Sequence, residues 1–144
     1  GEMEMVRRGA TWDVACTRIT DRMEIPQVGA FAELGPVSVY FYDGAECVRD
    51  HEENAKAVSR PRGYSCEEIS SAFVGLDEEF PSMERLSVLK PMFVSPWGTG
   101  CNRYIHTCVT EAGIWATWQR SEADFAQPLV GNFVTMERVA ELLA

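Results

Sequence analysis

Residues 103–120 constrain the fold of this chain more than any other stretch. Residues 104–110 and 114–120 are two runs rich in β-branched and aromatic side chains, separated by Glu111-Ala112-Gly113, whose glycine can take the positive φ of a three-residue hairpin loop. Such a pair of runs predicts an antiparallel hairpin. With Thr110 opposite Ile114, Val109 faces Trp115, Cys108 faces Ala116, Thr107 faces Thr117, His106 faces Trp118 and Ile105 faces Gln119. Alternation then sets Tyr104, His106, Cys108 and Trp118 on one face and Ile105, Thr107, Val109 and Trp115 on the other. Neither face is wholly polar, so both are expected to be at least partly covered.

Working from the N-terminal side, residues 11–20 alternate Trp12, Val14 and Cys16 with mostly polar neighbours, the pattern of a strand with one buried face. Residues 21–35 contain Pro26 and two glycines, and their form is left open. Val-Ser-Val-Tyr-Phe-Tyr at 37–42 is a strand by propensity, closed by the turn residues Asp43-Gly44. Residues 45–59 change to helical spacing, with Val48, His51, Ala55 and Val58 among acids, until Arg60-Pro61-Arg62-Gly63 breaks the pattern. Ser65-Cys66-Glu67-Glu68 then has the form of a capping box, and Ile69, Ala72, Phe73, Leu76 and Phe80 follow as one apolar stripe. This predicts the chain's strongest helix, ended by Pro81. Gly75 would cost that helix about 1 kcal/mol relative to alanine, which suggests a close approach of another strand.

Residues 86–95 return to alternation around Leu86, Val88, Met92 and Val94, and Pro91 confines that strand to an edge or a bulge. Residues 96–102 form a loop before the hairpin, and the polar run 121–131 carries the chain across the sheet. Thr135 can cap a last helix at 136–143, docked by Val139, Leu142 and Leu143. The sum is an α+β fold, an antiparallel sheet of about five strands with helices packed mainly on one face, in one domain spanning residues 1–144.

The 144 residues suffice for one core without metal or disulfide staples, and 46% hydrophobic with 24% charged residues is a folded composition. A net charge of −9, from 22 acids against 13 bases, opposes a nucleic-acid partner, because tracking phosphates needs concentrated Lys and Arg. The five cysteines are odd in number and show no C-x-x-C spacing, so reduced thiols in a cytoplasmic protein are expected. No apolar run approaches the roughly 18 residues of a membrane span.

The pair most suggestive of chemistry is His106 and Cys108, two apart on one strand face and flanked by Tyr104 and Trp118. A cysteine nucleophile needs a base that stabilises its thiolate, and His106 could supply it, with Tyr104 or Asp13 as alternative partners. The ordinary alternative is a packed thiol beside a hydrogen-bonded histidine. Cys101, His106 and Cys108 with His51 could ligate a metal, but the spacing lacks the close pairs of a zinc site, and no metal or cofactor is expected. Asp50-His51-Glu52-Glu53 reads as a solvated helix face. Trp97-Gly98-Thr99-Gly100 could let backbone approach a ligand, though it matches no phosphate-binding fingerprint. The aromatic set Trp12, Tyr40, Tyr42, Tyr104, Trp115 and Trp118 could instead line a cleft for an apolar or cationic small molecule.

Arg62-Gly63-Tyr64, followed by Glu68-Ile69, Ala72-Phe73 and Leu76, is similar in rhythm to the first helix of GyrI-like domains, which are small-molecule-binding modules. The similarity covers that helix alone, and what it implies is ligand binding. The expectation is therefore a non-catalytic small-molecule-binding protein, homodimeric through its hydrophobic strand faces, with Tyr42, Trp97, Tyr104, His106, Trp115 and Trp118 at the ligand. An enzyme using His106 with Cys108 or Tyr104, and an acidic interaction or inhibitor protein, are the alternatives.

Overall fold

β2 (Val37–Ala45) is the strand on which the others are built. Its alternating residues divide two environments: Tyr40 and Tyr42 point to one side of the sheet, Val39, Phe41 and Asp43 to the other. The computed structural model describes residues 11–13, 16–45 and 68–144. β1 (Cys16–Glu24) pairs antiparallel along one edge of β2, with a bulge at Thr20, and β3 (Glu68–Leu76) pairs antiparallel along the other, Tyr40 facing Phe73 and Asp43 facing Ser70.

β3 occupies the stretch whose spacing predicts the strongest helix. Residues 69–73 are buried without a break, so both faces of the strand are covered. A strand buried on both sides reads as a continuous run of apolar and small residues, and a stripe at three- and four-residue steps can be drawn through such a run. Only a short 3-10 turn, Asp77–Glu79, follows it. Gly75 does mark a close approach, but of the turn that leads back to the sheet: a Cβ there would sit 2.7 Å from the Ser82 carbonyl oxygen. The similarity to a GyrI-like first helix fails at the same place, since its residues 68–76 are strand. Residues 62–67 of that motif, and the helix predicted over 45–59 apart from Ala45 at the end of β2, lie outside the described residues.

β4 is the two-residue strand Glu84–Arg85, paired with β3. The strand predicted over 86–95 is reduced to one isolated bridge, Ser70 to Phe93. Its alternating Leu86, Val88, Met92 and Val94 remain exposed, because Pro91 interrupts the segment and no sheet face lies beneath it.

The central hairpin is present as β5 (Asn102–Thr110) and β6 (Gly113–Arg120). Its register differs by one residue from the sequence expectation: Thr110 pairs with Gly113, so Cys108 faces Trp115, Thr107 faces Ala116 and His106 faces Thr117. Gly113 belongs to the strand rather than the loop, and its missing side chain makes room for β7, whose Val134 carbonyl would collide with a Cβ there. Because side chains alternate, the one-residue slip exchanges the faces of Trp115 and Trp118. A bulge between Arg103 and His106 adds a further residue to β5, with Tyr104 held at φ 57°.

β7 (Leu129–Thr135) pairs antiparallel with β6 where the sequence reading placed a polar connection up to residue 131. Gly131 and Asn132, poor strand formers, sit in its middle and mask it. The order is β1-β2-β3-β5-β6-β7, with β4 beside β3 and a single parallel pair, Ile69 with Asn102, joining the two halves. The expected α+β fold, with about five antiparallel strands and helices on one face, is thus corrected to a mixed seven-stranded sheet with one α-helix among the described residues. The helical content falls because the predicted middle helix is a strand.

That helix, α1 (Met136–Leu142), is the one the sequence places, with Thr135 as N-cap accepting from the Arg138 amide at 3.3 Å. It seats Val139 inward, and its end is tied to the β1–β2 connection by the Ala30 amide donating to the Leu143 carbonyl at 2.6 Å. No helix of the described residues is long and apolar enough to cross a membrane.

The core lies on the Tyr40 and Tyr42 side of the sheet. Trp12, Tyr40, Tyr42, Ile69 and Phe73 pack there with Met83 against them, and the Tyr42 and Phe73 rings stack at 4.1 Å. Full burial of side chains of this size stabilises by about 1.5–3 kcal/mol each relative to exposure. Arg85 reaches over the Phe73 ring at 5.5 Å and pairs at 3.0 Å with Asp13. Burial acts to raise the Asp13 pKa, but the hydrogen bonds it receives, Arg85's first among them, outweigh this and hold it below the usual 3.8. The Tyr42 hydroxyl, surrounded by this core, is pushed up to about 12 by burial.

Candidate functional site

The opposite side of β2 faces β5, which leaves β3 after Asn102 and lies against β1 and β2. Between the two halves of the sheet, and beneath α1, is a cavity of about 440 Å³, open to solvent on one side. Each wall follows from strand alternation. β1 and the residues after it supply Met23, Ile25 and Pro26, and β2 supplies Val39 and Phe41. Across from them β6 presents Ile114, Ala116 and Trp118, β7 presents Asn132 and Val134, and β5 presents Thr107. Val139, Leu142 and Leu143, at and just beyond the end of α1, close the remaining side. Thr107, Asn132 and the indole of Trp118 bring polar atoms to these lining residues, but the surface they leave to the cavity is almost wholly apolar, and none of the lining residues carries a formal charge.

Thr107 is fixed by Asp21 of β1. Having left β3, β5 has amide groups that no strand pairs, and the Asp21 carboxylate takes one of them, accepting from the Thr107 amide at 2.7 Å and also from its hydroxyl. Asn132 stands in the same cross-strand row, because Thr107 pairs with Ala116 and Ala116 pairs with Asn132. The small methyl of Ala116 therefore forms the floor between two polar side chains.

Further along the inner face of β2, at the junction of the two halves, the lining gives way to charge. Asp43 is fully buried and accepts from Arg18 at 3.1 Å, from the Ser70 hydroxyl at 3.0 Å and from the Tyr104 amide at 3.1 and 3.2 Å. Burial pushes its carboxyl above the ordinary range, against the hydrogen bonds from Arg18, Ser70 and Tyr104. Glu68 bridges Arg18 at 2.7 Å and Arg103 at 3.0 Å, and both guanidinium groups lie over the Tyr104 ring, 4.8 and 4.9 Å from its centroid. The two arginines are matched by two acids, so the junction anchors the bulged strand and offers no excess charge to a ligand.

Of the six residues expected at the ligand, Trp118 lines the cavity. Tyr42 is in the core on the other side of β2, and Tyr104 is at the charged junction. Trp115 is 53% exposed on the outer face of β6, 4.7 Å from Phe133, and Trp97 is exposed in the loop before β5. The His106 side chain is 70% exposed on that outer face, with Asp21 at 4.0 Å, and Cys108 is exposed beside it. Among the described residues no hydrogen bond joins His106 to Cys108 or Tyr104, and Asp13 is engaged with Arg85 in the core. No group of three His, Cys, Asp or Glu side chains among the described residues could hold a metal ion; His51 lies outside them.

Phe41, Ala116, Val134 and the α1 residues are lining that sequence reasoning did not single out. Their signal is the inward alternation of β2, β6 and β7, visible once Thr110 is paired with Gly113. Comparison of the chain with protein-family models, with curated proteins and with solved structures finds no match.

Proposed function

We propose that this chain is a non-catalytic binding protein that holds an apolar small molecule in the cavity between the sheet halves and α1. One observation carries the reading: an open cavity of about 440 Å³ whose surface is almost wholly apolar and whose lining carries no formal charge. Pockets for small molecules run from about 300 to 1,000 Å³ and are mostly apolar, and apolar surface left facing water is unfavourable by about 25 cal/mol per Å². An occupant removes that penalty. The apolar form of the expected ligand is favoured over the cationic one because no carboxylate lines the space.

Thermal and urea stability measured across a panel of apolar compounds tests the proposal. A ligand present at about 100 times its dissociation constant adds roughly 2.7 kcal/mol. Ala116→Phe, which fills the cavity floor, should abolish that gain while leaving the far-side aromatic core intact. The absence of a shift with every compound would overturn the reading. The homodimer and the cytoplasmic setting belong to the same proposal; light scattering on the same samples tests the former, and the widely spaced, odd-numbered cysteines support the latter.

A further inference from the structure

We infer that the guest is an amphiphile with a hydrocarbon tail of up to about eighteen carbons, bound tail inward with its polar head left in water. The inference rests on the binding reading above and adds which part of the guest the cavity takes. The Thr107 hydroxyl is engaged by Asp21 and the Asn132 side-chain oxygen by the Phe133 amide. The surface left to the cavity is almost wholly apolar, and no described residue lining it carries a formal charge. A polar group carried inside would lose its water without gaining a partner. That loss weakens binding at least about fivefold for a hydroxyl and far more for an ion of either sign.

Volume and opening set the rest of the class. A dry apolar cavity of about 150 Å³ holds one benzene molecule, six carbons. At the same fullness, the 440 Å³ between the sheet halves holds about three times as much, or about eighteen carbons. The cavity is open on one side, so the end of the guest that reaches the opening stands in water. A polar head keeps its hydration there, whereas a hydrocarbon end would stay exposed and contribute nothing. Met23, with three rotatable bonds, lets the wall follow tails of different shape. The cavity therefore reads the tail and leaves the head unread.

Calorimetric titration of the full chain with alkyl maltosides, each below its micelle concentration, tests this. Every added methylene should tighten binding about fourfold from the octyl to the tetradecyl compound. Decane-1,10-diol, which would carry a hydroxyl to the inner end, should bind at least about fivefold more weakly than decan-1-ol. Exchanging maltose for trimethylammonium on a dodecyl tail should change affinity by less than that, because the head stays outside. Orientation has its own readout: a bromine at the tail end should quench Trp118, and Trp118→Phe should remove most of the quenching. Equal binding of diol and alkanol, a plateau before the decyl compound, a head-group effect larger than that of the inner hydroxyl, or quenching that survives Trp118→Phe would overturn the inference and leave the binding reading standing. Failure of the maltosides, the alkanol and a neutral apolar dye to bind saturably would overturn the binding reading itself.

Discussion

Asp43 is buried, and burial raises its pKa against the hydrogen bonds from Arg18, Ser70 and Tyr104, so what it contributes at the junction is best separated into the bonds it accepts and the charge it carries. Asp43→Ala removes the acceptor for the Tyr104 amide, a part-buried donor whose loss of partner costs about 1–3 kcal/mol. Ser70 loses less, because its one hydroxyl proton has the Asn102 carbonyl at 2.7 Å as an alternative acceptor. Arg18 also loses less: its side chain is 49% exposed and keeps Glu68 at 2.7 Å, so its pair with Asp43 is discounted for solvent to under about 1 kcal/mol. The sum for the alanine variant is about 3 kcal/mol. Asp43→Asn retains an oxygen for Tyr104 and sheds the buried charge, and should stay within about 1 kcal/mol of the wild type. Urea unfolding followed by Trp fluorescence, with an unchanged slope, reads both values. Acid supplies a second check. Because the folded pKa is raised, the folded state binds the extra proton in the window between the ordinary and the raised value, and the stability tied to this group falls as pH rises through that window. The wild type should therefore gain on Asp43→Asn as the sample is acidified. If the asparagine variant lost as much as the alanine variant, or if the alanine variant lost less than about 0.5 kcal/mol, the acceptor argument would be wrong.

Asp13 should show the opposite sign: its folded pKa lies below the unfolded value, so its stabilisation is present above about 3.9 and is lost as pH falls through the folded value. A melting series from pH 6 to pH 2 should be flatter for Asp13→Asn than for the wild type. Val139→Ala, which deletes two methyl groups' worth of packing at the one buried residue of α1, should cost about 1.5 kcal/mol in urea unfolding and weaken binding of an apolar ligand. Gly29→Val should displace the end of α1, because Gly29 has φ 56° and a Cβ there would collide with the Leu143 carbonyl; amide exchange should then quicken at residues 139–143 while β2 keeps its protection.

What could be read from the residues was local. β2, the hairpin and α1 announce themselves through β-branched runs, a glycine near a turn and a threonine cap, each a matter of a few neighbours. β3 could not be told from a helix, because the run from Ile69 to Phe73 satisfies a helical stripe as well as a strand buried on both faces, and only the presence of β2 and β4 decides. The register of the hairpin turned on whether Gly113 closes the loop or lets β7 approach, which is a tertiary contact. The candidate site suffered from both effects. Its lining comes from five strands and a helix, so Trp118 lines the cavity while Trp115, three residues earlier and expected beside it, faces away.

The supernumerary residue in β5 has a chemical outcome beyond geometry. Were the ladder to run from the Arg103–Gln119 pair without interruption, His106 would fall opposite Ala116 and turn its imidazole toward the cavity, and Thr107 would point outward. The bulge at Tyr104 absorbs one residue, so Arg103 keeps Gln119 and Thr107 keeps Ala116 on a strand one residue longer than its neighbour. Whether a neutral hydroxyl or a titratable ring stands in the row of Ala116 is thus decided several positions away from the wall itself, by the length of a strand and not by its composition.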